Sequence, residues 1–151
     1  MAEPLPVDEA FAQVGLLSRL SDRQREKLAG RVTTRSYREG ATIVKQGDTS
    51  VSFYVLLSGR ARIEHETAGT TIVVEELGPG GAFGEMGLID DLPRAATVIA
   101  AEPTECALLA RWDFQNELRE DPDIALALLP VLNARIRELD ARLARAEQSA
   151  R

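Results

Sequence analysis

The alternation of apolar and polar positions divides the chain into three stretches. Over residues 8–20, apolar side chains recur at Phe11, Val14, Leu17 and Leu20, spacings of three that predict a helical face. Ser21-Asp22-Arg23-Gln24 then offers an N-cap with Gln at the third helical position, a capping box for a helix running to Ala29. Gly30 follows in the C-cap position. From Val32 to Leu109 the period falls to two and turn sequences become frequent. Arg38-Glu39-Gly40-Ala41 and Gln46-Gly47-Asp48-Thr49 bracket a strand at 42–44, and further strands read at 52–57, 60–65, 70–74, 97–100 and 105–109. Several short strands at such regular spacing predict a mainly-β fold, a sandwich or barrel, and a jelly roll is the sensible choice.

The third stretch is helical. Arg111-Trp112-Asp113-Phe114 starts a short helix, and Asp121-Pro122 caps and opens the next with proline at the tolerated first position. Pro130 lies inside that pattern and is expected to kink the helix or split it in two. Beyond it, Leu129, Ile136 and Leu143 fall at a positions, and Leu132, Leu139 and Ala146 at d positions, of a coiled-coil segment over 129–147. Arg135 with Asp140 of a partner copy, and Arg142 with Glu147, have the offset of a parallel two-stranded coil, so a homodimer is expected. The other reading is one amphipathic helix lying on its own β-domain. The resulting division is a disordered lead over 1–8, then one domain over 9–151. That domain has N-terminal helices at 9–30, a β-roll at 31–110 and C-terminal helices at 111–151.

Composition narrows the function classes. A chain of 151 residues, 44% hydrophobic and 28% charged, has the make-up of one soluble globular domain. The formal net charge of −6 argues against a nucleic-acid surface, whose affinity comes mainly from neutralising phosphates. A single cysteine leaves no internal disulfide framework and fits a cytoplasmic protein. No apolar run approaches the roughly 18–20 residues that span a bilayer, and the start Met-Ala-Glu-Pro-Leu-Pro lacks the basic and apolar regions of a signal peptide. The one histidine, His65, sits between Glu64 and Glu66 and reads as a surface residue, so a metal-dependent jelly-roll enzyme is not expected. Cys106 lies in an apolar strand, where packing explains it better than nucleophilic chemistry. No enzyme activity, metal or cofactor is expected.

One stretch carries chemistry. Residues 78–98 hold five of the eleven glycines, two prolines, Glu85 within the glycine run and Arg94 after the second proline. Glycines let backbone approach a ligand closely, and a glycine loop entering a short helical turn aims several N–H groups at one spot, which suits an anion. Arg94 can add a bidentate fork for phosphate oxygens. Glu85 would repel a bare polyphosphate but accepts well from a sugar hydroxyl. A P-loop is excluded because Glu85 follows Gly84, and the dinucleotide fingerprint fails because Phe83 stands where its third glycine belongs. A glycine-rich turn with a solvated arginine remains the alternative at this point.

Residue order breaks the tie. Phe83-Gly84-Glu85-Met86-Gly87-Leu88 followed after four residues by Pro93-Arg94-Ala95-Ala96-Thr97-Val98 resembles the phosphate-binding cassette of the cyclic-nucleotide-binding domain family. Gly40, Gly47-Asp48 and Leu57-Ser58-Gly59 also fall where that family places turn glycines, so the resemblance covers about residues 14–143. It implies that Arg94 pairs with the cyclic phosphate and Glu85 with the ribose 2′-hydroxyl. Backbone amides around Gly84, Met86, Gly87, Ala95 and Ala96 would complete the cradle. The family's cGMP readers often carry a threonine directly after the arginine, whereas this chain has Ala95, so cAMP is expected over cGMP. In the bacterial catabolite-activator branch the last helix dimerises and closes over the base, which gives residues 135–140 a lid role here. Leu139 and Asp140 occupy the stretch of the polar base contacts. That branch continues into a DNA-reading helix-turn-helix, and this chain ends at Arg151, so DNA binding is not expected. The expectation is a cyclic-nucleotide sensor signalling through its last helix. An assembly module with a vestigial pocket, or the regulatory piece of a larger channel, kinase or transcription factor, are the alternatives.

Overall fold

The computed structural model describes residues 3–49, 51–90 and 93–150. Helices α1 (Val7–Ala12) and α2 (Asp22–Ala29) precede eight strands: β1 (Thr33–Tyr37), β2 (Thr42–Val44), β3 (Ser52–Ser58), β4 (Ala61–Thr67), β5 (Thr70–Leu77), β6 (Ala82–Phe83), β7 (Thr97–Ala100) and β8 (Thr104–Ala110). Helices α3 (Arg111–Glu120) and α4 (Pro122–Ser149) close the chain. The strands form two four-stranded antiparallel sheets, ordered β1-β8-β3-β6 and β2-β7-β4-β5. This is the jelly-roll β-sandwich with flanking helices that the strand spacing led us to expect.

The run Phe53-Tyr54-Val55-Leu56-Leu57 is buried throughout because both faces of β3 are covered. Tyr54 and Leu56 point between the sheets with Ile43, Phe83, Val98, Cys106 and Leu108. Phe53, Val55 and Leu57 point the other way, onto Phe11, Leu16, Leu17, Leu28, Phe114, Ile124 and Leu128 of the helices. One sheet therefore serves two cores, and the helices are fixed to the strand that also backs the interior. Cys106 is fully buried, and desolvation pushes its thiol up to about 12. Gly59 shows why one turn admits no side chain: at φ 87° a Cβ there would overlap the carbonyl of Pro103.

Several local expectations change. The capping box forms, with Gln24 N–H donating to Ser21 Oγ at 3.2 Å and Ser21 N–H to Gln24 Oε1 at 2.9 Å. The helix expected over 8–20 does not run through. It stops at Ala12, and a 3-10 turn at Gly15–Leu17 follows, because a strict spacing of three serves a 3-10 turn as well as an α-helix. Phe11, Val14, Leu17 and Leu20 are all buried regardless. The lead expected to be disordered over 1–8 is ordered where described: Leu5 N–H donates to Leu57 O at 2.9 Å, Leu5 and Val7 pack on the helical core, and α1 begins at Val7. Met1 and Ala2 lie outside the described residues.

Helix α4 runs continuously through Pro130, so the expected split does not occur. Its start is as read from sequence, with Asp121 accepting from Asp123 N–H and Pro122 at the first position. Ile124 and Leu128 are buried, Leu132 packs against the core, and every residue over 136–150 is exposed.

Candidate functional site

The site is assembled around the end of β6. After Phe83 the chain turns at Gly84, φ 79°, into a 3-10 turn over Glu85–Leu88, closed by Gly87 N–H donating to Gly84 O at 3.0 Å. Leu88, 1% exposed, anchors the turn in the helical core. The second half of the cassette is held by the β2–β3 turn: Arg94 N–H donates to Asp48 O at 2.8 Å, and Gly47 N–H to Arg94 O at 2.9 Å. Two sequence-distant turns are thus stitched together, with Gln46 N–H also donating to Thr97 Oγ1 at 2.9 Å, which fixes where Arg94 emerges.

A cavity of about 510 Å³ opens between these pieces. Gly84, Glu85, Gly87, Arg94, Ala95 and Ala96 all line it, so the expected site residues converge on one pocket. Met86 belongs to the same turn by its backbone, and its side chain lies outside the described residues. Val44, Ile63, Phe83 and Val98 supply an apolar wall. Asp90 also lines the pocket; Phe83 and Val98 belong to the cassette pattern, whereas Val44 and Ile63 lie in strands that the sequence had not marked for the site.

The two charged residues differ in their surroundings. The Arg94 guanidinium donates from Nη2 to Ser52 O at 2.5 Å and lies 5.5 Å from the Tyr54 ring centroid. It also fills the space a side chain at Gly84 would take, since a Cβ there would overlap it. Burial pushes its pKa down from the ordinary arginine value, while Tyr54 acts in the opposite direction. An arginine starts so high that it keeps its charge near neutral pH. Among the described residues Arg94 has no ion-pair partner, and its buried Nε has no acceptor. A desolvated cation with an unmet donor is a site for an anion.

Glu85 is tied elsewhere. Its Oε1 accepts from Arg135 Nη2 of α4 at 2.8 Å. The heptad register had assigned Arg135 to a partner copy, and here it binds Glu85 of its own chain. Arg142, likewise assigned across a coil, donates to Glu138 one turn back at 2.6 Å. No spacing rule could have joined residues fifty positions apart. Leu139 and Asp140, expected near the base, are exposed in this single chain.

His65 Nδ1 lies 2.9 Å from Thr67 Oγ1, and among the described residues no group of three or more His, Cys, Asp or Glu could hold a metal ion. No helix among them is long and apolar enough to cross a membrane.

A β-sandwich with one pocket wall made of a glycine turn, a carboxylate and a desolvated arginine has the make-up of a small-ligand binding domain. The comparison with known families is specific: the cyclic nucleotide-binding domain matches residues 34–121, and the chain belongs to that family. It is 35% identical over 129 residues to a cAMP-dependent protein kinase regulatory subunit of Debaryomyces hansenii, covering 85% of this chain and 28% of that protein. Its fold is similar to the N-terminal domain of a transcriptional regulator from Streptomyces coelicolor, with TM-score 0.83, 26% identity and coverage of 89% and 94%. It is also similar to the regulatory domain of Toxoplasma gondii PKA solved with cAMP, with TM-score 0.71, 28% identity and coverage of 87% and 49%. The chain spans 19% to 51% of the length of the curated relatives it matches.

Proposed function

We propose that the protein is a non-catalytic sensor that binds cAMP, and cGMP less well, in the cassette cavity. The observation that carries this reading is the convergence of Glu85 and Arg94 on one cavity with the cassette's glycine turn between them. Arg94 takes the cyclic phosphate, whose oxygens meet a cation that no carboxylate among the described residues neutralises. Glu85 accepts from the ribose 2′-hydroxyl. The amides of Gly84, Met86 and Gly87, with those of Ala95 and Ala96, complete the cradle, and Val44, Ile63 and Val98 give the base an apolar wall. Ala95 carries no hydroxyl for a guanine amino group, which favours adenine.

The output is α4. Ribose and Arg135 compete for the same carboxylate, so occupancy shifts the helix between two positions. The exposed faces of Leu129, Ile136, Leu139 and Leu143 meet their counterparts in a parallel homodimer.

Calorimetric titration of the intact chain with each nucleotide tests the reading, with sedimentation velocity run on the same samples. The expected outcome is a dimer that binds cAMP more tightly than cGMP and gains about 2.7 kcal/mol of stability at a hundredfold excess over the dissociation constant. Absence of binding by either nucleotide would overturn the sensor and leave an assembly module.

A further inference from the structure

Tyr54 belongs to no cassette motif, yet it sits under the cassette's arginine. It is paired in register with Phe83, the residue before Gly84, and the two rings stack with centroids 4.9 Å apart and planes 8° apart. Both are buried, at 9% and 8% exposure. Arg94 Cζ lies 5.5 Å from the Tyr54 centroid on the same assembly. Phe83 from the first half of the cassette and Arg94 from its second half therefore both meet the Tyr54 ring of β3.

The physical question is what holds a desolvated guanidinium in place. A carboxylate would do so, but it would also cancel the charge that an incoming anion needs. Among the described residues no carboxylate pairs with Arg94, and the guanidinium donates to one neutral carbonyl, that of Ser52. The negative face of an aromatic ring attracts the cation without neutralising it. We infer that Tyr54 is a positioning residue for ligand binding: its ring face, backed by Phe83, holds the Arg94 guanidinium at the cavity wall with its full charge available to an anion. This rests on the proposed phosphate role of Arg94.

The test separates ring electronics from ring volume. Tyr54→Phe, the same site carrying 3,4,5-trifluorophenylalanine, and Tyr54→Leu are compared with wild type by cAMP titration. The ligand-free Arg94 Nε–H resonance is recorded in each. Phenylalanine is expected to bind within about twofold of wild type. The fluorinated ring, of nearly the same shape but with its negative face removed, is expected to weaken binding by about twofold to thirtyfold, the span of such contacts. The Arg94 resonance is expected to be shifted upfield by the ring in wild type and Tyr54→Phe, and to lose that shift in Tyr54→Leu. Equal affinity for the phenylalanine and fluorinated proteins, or an Arg94 resonance unmoved by Tyr54→Leu, overturns the assignment. If the leucine variant does not fold, the fluorinated pair decides alone. If wild type binds no cyclic nucleotide, the sensor reading fails, and the Arg94 resonance still decides the role of Tyr54.

Discussion

The two ends of the pocket are built on different principles. At the Arg94 end the side chain is wedged by near neighbours, with Ser52 O, the Tyr54 ring and the bare Cα of Gly84 around it and backbone bonds to Asp48 and Gly47 behind it. At the Glu85 end the carboxylate is partly exposed and tied to Arg135, which arrives from a helix fifty residues later. A group locked by its surroundings is pre-organised and contributes affinity. A group shared with a mobile or distant element contributes coupling, because anything that takes the carboxylate also changes what holds the helix. On the proposed function, the Arg94 end holds the ligand and the Glu85 end reports it.

That contrast breaks most plainly at Arg94. Arg94→Ala is expected to weaken cAMP binding by at least about a hundredfold, since two charge-assisted hydrogen bonds are lost together. Hydrogen exchange of residues 136–149 in the ligand-free protein should stay unchanged. Calorimetry showing undiminished affinity would remove Arg94 from the site. A smaller loss is expected from Gly84→Ala. Its methyl group must displace the guanidinium and strains a backbone at φ 79°, so denaturant unfolding should show a loss of about 1–2 kcal/mol and titration a roughly tenfold weaker complex. The smallest effect on affinity belongs to Arg135→Ala. The Arg135–Glu85 pair is partly solvent-exposed, with side-chain exposures of 35% and 26%, and such pairs contribute little. Affinity should move by no more than about fivefold, while exchange protection over 131–149 should cease to depend on ligand. If Arg135→Ala abolished binding instead, the division between holding and reporting would be wrong.

What could be read from sequence follows the same contrast. The β-sandwich was legible because strand periodicity and turn glycines are local signals, and the cassette was legible because Glu85 and Arg94 lie nine positions apart within one motif. The Glu85–Arg135 link was not, because the heptad already gave Arg135 a sensible use and one sequence carries no distance between two charges. Tyr54 was hidden in an apolar run that any core strand would show. β1, with the sequence Thr-Thr-Arg-Ser-Tyr and almost no burial, shows no alternation to read, and only its pairing to β8 defines it. Residues 5 and 7 read as part of a disordered lead because Leu5 and Val7, set on either side of Pro6, form no helical or strand period. They are ordered because a core surface happens to receive them.

The fully buried Cys106 has a practical side. It is the one cysteine in the chain, and with its thiol pushed up to about 12 it stays protonated and shielded while the sandwich is intact. The folded protein is therefore a blank background for thiol chemistry. A label introduced by Arg145→Cys on the exposed end of α4 would be the only dye attached, and movement of that helix could be followed optically without first rebuilding the core.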